Sequence, residues 1–176
     1  MQFNLKEYNP EKHDRFKALS VKQPYANDLV TPTFKDENGV IYGMKSIEVR
    51  SRPTKFRGDL LICSSLNPKF PGLYCGFALG LVELYDIKPV SEFTNDDWDR
   101  TRIPFEIRTQ INKGYGWLMR NPRKVIEYPV SGQLGIWNLV YSKGVIITYP
   151  QQVIIDKKSY EEFIRPVFDK IKNGKK

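Results

Sequence analysis

The sequence predicts an α+β fold: a small β-barrel of about six strands, with peripheral helices and a C-terminal helix. Three observations carry this expectation. Short apolar or alternating runs, separated by clusters of Gly, Pro, Asn and Asp, recur along the chain at strand spacing. The run from Tyr74 to Ile87 places Gly76, Ala78 and Gly80 on one parity and Phe77, Leu79, Leu81 and Tyr85 on the other. Small residues along one strand face suit a tightly curved sheet or a close ligand, and a barrel seam is the plainer of these readings. Finally, residues 89–113 turn acidic and helical, and Tyr160, Phe163, Ile164, Val167, Phe168 and Ile171 recur at helical spacing behind a capping box at Ser159 and Glu162.

Taken in order, residues 1–16 read as a flexible polar leader and residues 17–150 as the barrel. Lys17 to Val21 is a first short strand, and VKQPYA then starts a helix at Pro24 that runs to about Val30. Thr31 to Gly43 mixes Pro, Asp, Asn and Gly, as a long loop or hairpin does. Asp59 to Ser65 has the continuous apolar character of a strand buried on both faces. Strand patterns return in GYGWLMR, KVIEYPVSG, GIWNLVY and GVIITY, and residues 151–176 form the closing helix and a basic tail.

With 176 residues, 40% of them hydrophobic and 13% aromatic, the chain can bury one substantial core. Its formal charge of +8 favours an anionic partner. Cys63 and Cys75 lie in apolar runs and read as buried thiols of a reducing compartment. The first residues lack a signal-peptide core and no apolar run approaches a membrane span, so a cytoplasmic location away from membranes is expected. His13 is the only histidine, which argues against histidine-based triads and histidine-ligated zinc. No metal and no cofactor are expected, and any catalysis falls to lysine, carboxylate, hydroxyl or backbone groups.

The stretch GMKSIEVRSRPTKFRG, Gly43 to Gly58, holds the candidate site. Ile47 and Val49 alternate with Glu48, Arg50 and Arg52, so one strand face enters a core and the other carries charge. Arg50 and Arg52 suit phosphate or base-edge contacts, and Glu48 can accept from an exocyclic amine. The bland alternative is a weak Glu48–Arg50 ion pair on a solvated face. Lys45 sits among other cations, which would lower its pKa and make it a better base or nucleophile. Lys22 and Gln23 belong at the same cleft, at a helix start. Tyr25, and Trp117 beside Tyr115, are candidate stacking rings, although core packing explains Trp117 and Trp137 as well.

Four blocks in this order, LSVKQPYANDLV, GMKSIEVRSRPTKFRGDLLICSS, GFALGLVELYD and YGWLMRNPRKVIEYPVSGQLGIWNL, resemble the ASCH domain, a PUA-like β-barrel family. The similarity spans roughly Leu19 to Leu139. It implies a compact barrel with a cleft facing the charged strand, and recognition of RNA or of a single, modified nucleotide. Some members of that family are hydrolases that deacylate acetylated cytidine with a lysine, threonine and glutamate set, and ribonuclease activity is attributed to others. Lys45 matches the lysine, and Glu48 stands where those relatives carry threonine. The leading expectation is therefore a nucleic-acid-binding module, and the runner-up a hydrolase using Lys45 and Glu48. A protein-interaction adaptor, suggested by TNDDWDR and the last helix, is a third class.

Overall fold

The computed structural model describes residues 1–149, 155–166 and 170. The fold is mixed α+β, mostly sheet with few helices. Among the described residues, ten strands alternate with short helical pieces: β1 (Gln2–Phe3), β2 (His13–Val21), β3 (Pro32–Lys35), β4 (Ile41–Gly43), β5 (Ile47–Arg50), β6 (Gly58–Ser64), β7 (Phe77–Pro89), β8 (Tyr115–Pro129), β9 (Ile136–Ser142) and β10 (Ile155–Asp156). Helices α1 (Tyr25–Val30), α2 (Asn95–Thr101), α3 (Phe105–Arg108) and α4 (Lys157–Ser159) interrupt or follow them. Seven strands form one sheet in the order β1-β9-β2-β6-β7-β8-β5, and β10-β3-β4 form a second.

The larger sheet is not closed into a barrel, because its ladder begins at β1 and ends at β5. It is nevertheless strongly curled. Four strand spacings of about 4.8 Å would hold β2 and β5 about 19 Å apart in a flat sheet. Instead, Arg50 Nη2 on β5 donates to the Ser20 carbonyl on β2 at 2.6 Å. A side chain, rather than a row of backbone bonds, spans the gap, and it does so beside a strand of only four residues.

Alternation along the strands sorts the core onto two faces. Leu19, Val21, Leu60, Ile62, Leu84 and Met119 face α1, which contributes Ala26, Leu29 and Val30. Ala18, Leu61, Cys63, Trp137 and Leu139 form a second cluster on the other face. The strand expected between Asp59 and Ser65 is thus buried on both sides. Its neighbour β7 departs from simple parity: register shifts leave Leu79 as an extra residue between Ala78 and Gly80. This bulge moves Gly80 onto the α1 side, where a Cβ would lie 2.6 Å from Val30 Cβ and 2.8 Å from the Arg123 carbonyl.

Several expectations change in detail. The polar leader is held by the sheet, since β1 pairs with β9 and β2 already begins at His13. Thr31 to Gly43 is a hairpin, β3–β4. GYGWLMR and KVIEYPVSG merge into the single strand β8, which passes Asn121 at φ 54° and Pro122 through irregular register. GVIITY lies along β8 through one bridge, Val125–Thr148, and two backbone bonds. Residues 89–113 carry α2 and α3, and α2 starts at a capping box of Thr94 and Asp97. Towards the C-terminus, α4 continues into a π-turn from Tyr160 to Ile164, with Phe163 exposed. Val167, Phe168 and Ile171 of the expected stripe lie outside the described residues. Among the described residues, no helix is long and apolar enough to cross a membrane.

The close approach at Gly80 yields a direct test of the curled seam. Gly80→Ala should destabilise the fold by about 1–3 kcal/mol, because the Arg123 carbonyl is backbone and cannot step aside. Chemical denaturation measures it, and an unchanged midpoint would show that the seam is looser than this.

Candidate functional site

In the register of β5 with β8, Glu48 lies opposite Trp117 and Arg50 opposite Tyr115. Directly paired residues share a face. Trp117 belongs to the α1-side core, so the charged face of β5 turns towards the inside of the curl. Ile47, fully buried, takes the opposite face. There it flanks Gly116 together with Phe93: a Cβ on Gly116 would sit 2.9 Å from Ile47 Cγ2 and would collide with the Phe93 ring. The helical excursion thus covers the apolar side of β5, and the charges are left to the mouth of the curl.

Among the described residues, Lys45 is the largest fully buried side chain, at 2% exposure. Its Nζ donates to the Thr101 carbonyl at 2.7 Å, lies 3.1 Å from Glu48 Oε2, and stands 4.9 Å above the Tyr25 ring. Glu48 Oε1 in turn lies 3.6 Å from Arg50 Nε, and the Arg50 guanidinium stands 5.9 Å from the Trp117 ring. Together with the bond to Ser20, these contacts form a chain from the buried ammonium to β2. Burial pushes the Tyr25 hydroxyl above its usual pKa, with Glu48 and Asp28 adding to the rise and Arg102 opposing it. One face of the Tyr25 ring thus carries the Lys45 ammonium, and the residue lines the cleft.

Between β2 and β5 opens a cleft of about 320 Å³. Of the residues singled out from the sequence, Lys22, Tyr25, Glu48 and Arg50 line it, joined by Ser20 and by the loop at Gln133 to Gly135. The other four do not. Lys45 lies behind Glu48. Gln23 is 6% exposed and spends both ends of its amide internally: Nε2 donates to the Tyr74 carbonyl and Oε1 accepts from Asn27 N–H. Trp117 is 5% exposed, and its Nε1 donates to the Arg52 carbonyl at 3.0 Å. Arg52 is anchored through that carbonyl, and the residue itself is exposed. The wall at Gln133 to Gly135 was missed by sequence reasoning; its one signal is Leu134, an apolar residue in a Gly-rich turn that stands 99% exposed.

Among the described residues, no group of His, Cys, Asp and Glu is arranged to hold a metal ion. Cys63 and Cys75 are free and buried, and burial pushes the Cys63 thiol up to about 12, far from a reactive thiolate. Ser46, the hydroxyl nearest to Lys45 in sequence, accepts from Arg100 Nε at 2.8 Å. No family model matches this chain, and no curated protein matches it significantly.

The chain from Lys45 to Arg50 makes a stability prediction. Glu48→Ala should cost about 3–5 kcal/mol, since it strips a buried ammonium of its counter-charge. Adding Lys45→Met should recover a large part of that loss. Equal, additive losses in a double-mutant cycle would contradict the coupling.

Proposed function

We propose that the cleft between β2 and β5 binds RNA, and that it takes one nucleotide against Tyr25, Lys22 and the Glu48–Arg50 pair. The observation that carries this reading is the convergence of a neutral stacking ring, a carboxylate and two cations, Lys22 and Arg50, on one concavity of about 320 Å³. Such a volume falls within the range of small-ligand sites. The ring offers a face to a base, Glu48 an acceptor for an exocyclic amine, and the cations a counter-charge for phosphate. The net charge of +8 supports the same partner through counterion release. In this reading the curled sheet is an opened form of the PUA-like barrel that the ASCH resemblance implies, and its mouth is the binding site. The two free thiols suit a cytoplasmic setting.

The test is the salt dependence of single-stranded RNA affinity. Affinity should fall steeply with salt, and the Lys22→Ala, Arg50→Ala double variant should bind more weakly, with its log–log slope flattened by about 1.4, or about 0.7 per lost phosphate contact on a single strand. Circular dichroism checks that the variant keeps its fold. Unchanged affinity in a folded variant would return the charged strand to an ordinary solvated face.

A second reading, hydrolysis of acetylated cytidine, draws on the 3.1 Å contact of Lys45 with Glu48, which lines the cleft. It meets two obstacles. The Lys45 ammonium is enclosed and committed to Glu48 and the Thr101 carbonyl, and the hydroxyl nearest to it in sequence, on Ser46, serves Arg100. A general base or nucleophile must reach its substrate. The purified protein should therefore release no cytidine from the acetylated nucleoside. Robust release that disappears in Lys45→Ala would replace the binding reading with the enzymatic one.

A further inference from the structure

The geometry points to a track for a longer RNA strand, leaving the Glu48–Arg50 cleft past Gln133 and running along β9 to Arg15 and Lys17; it rests on the nucleotide-binding reading above. Three depressions are linked in series by shared lining residues. The cleft shares Gln133 with a groove of about 680 Å³ between residues 2–5 and the loop after β8. That groove shares Asn138 with a third depression of about 310 Å³, which Arg15 and Lys17 line. The two shared walls are both carboxamides, able to donate and accept along a backbone or a base edge.

The path has the chemistry of a single-strand track rather than of a protein interface. In the pairing of β2 with β9, Lys17 lies opposite Asn138 and Arg15 opposite Val140, so the two cations and Asn138 share one face. Arg15 and Lys17 are both exposed. The one carboxylate lining that depression, Asp59, is held by Arg123 at 2.7 and 3.1 Å, which offsets its charge. Midway, Trp137, which points to the opposite face of β9 from Asn138, lines the groove at 6% exposure, and its Nε1 has no hydrogen-bond partner. A buried indole N–H in that state gains from a new acceptor. The rim is tied in place, because Gln2 exchanges two hydrogen bonds with the Ser131 backbone. Cations therefore sit at both ends of the path, which Phe3, Leu5, Phe16 and Leu81 also line, with a ring for stacking at one end, as single-stranded nucleic-acid sites are built.

Fluorescence anisotropy with labelled oligouridylates tests the track. An octanucleotide should bind roughly tenfold or more tightly than a dinucleotide, with a steeper salt slope. Arg15→Glu with Lys17→Glu should abolish that gain and leave dinucleotide affinity unchanged; both sites are exposed, and a thermal melt confirms folding. Lys17→Gln with Asn138→Ala serves as the milder variant and should erode the same gain. If the dinucleotide binds and the octanucleotide binds no tighter, the track is overturned while the cleft reading stands. If neither binds, both fall. Equal binding by a polyglutamate peptide, lost in the same variants, would also overturn the track, since it would mark a site for any acidic chain.

Discussion

A lysine ammonium cannot remain in a protein interior without a counter-charge, and the site is organised around meeting that demand at Lys45. Removing such an ion from water costs several kcal/mol, which only close partners offset. Glu48, Thr101 and the Tyr25 ring supply them. Because these partners come from β5, α2 and α1, satisfying one charge fixes three elements relative to each other. The backbone around it repeats the arrangement: Lys45 N–H donates to the Asp28 carbonyl, Ser46 N–H to Arg100, and Met119 N–H to Ser46. Glu48, oriented by the lysine, then holds Arg50 near β2. The cleft is thus a consequence of how a buried cation is neutralised.

The same arrangement explains why the sheet curls without closing. A backbone ladder between β2 and β5 would leave no room for a ligand. Here the guanidinium of Arg50 bridges the gap, and the polar face of β5, which would have been consumed inside a closed barrel, lines an opening. On the other side, Ile47 and Gly116 pack beneath Phe93, so the helical excursion supplies the apolar cover that a two-sided strand needs.

Much of this was legible in the sequence. The alternation of Ile47 and Val49 with Glu48 and Arg50 marked a two-faced strand, and four of the eight singled-out residues line one cleft. The remainder depended on contacts that periodicity does not encode. Gln23 and Trp117 look like free recognition groups until their hydrogen bonds to Tyr74 and Arg52, 51 and 65 residues away, are seen. The parity of Gly80 was inverted by a bulge at Leu79 that no local pattern announces. The wall at Leu134 comes from a turn whose composition predicts only a loop. The pairing of β1 with β9 joins residues far apart in the chain and makes an apparent leader part of the sheet.

The central claim is that the mouth between β2 and β5 receives a nucleotide. Nuclear magnetic resonance of the isotopically labelled protein, titrated with a short RNA, tests it most directly. The account predicts that the amides of Lys22, Tyr25, Glu48, Arg50 and Gln133, with the Arg50 Nε–H signal, shift together and saturate at one concentration. Shifts that leave these residues unmoved and gather on another face would contradict it.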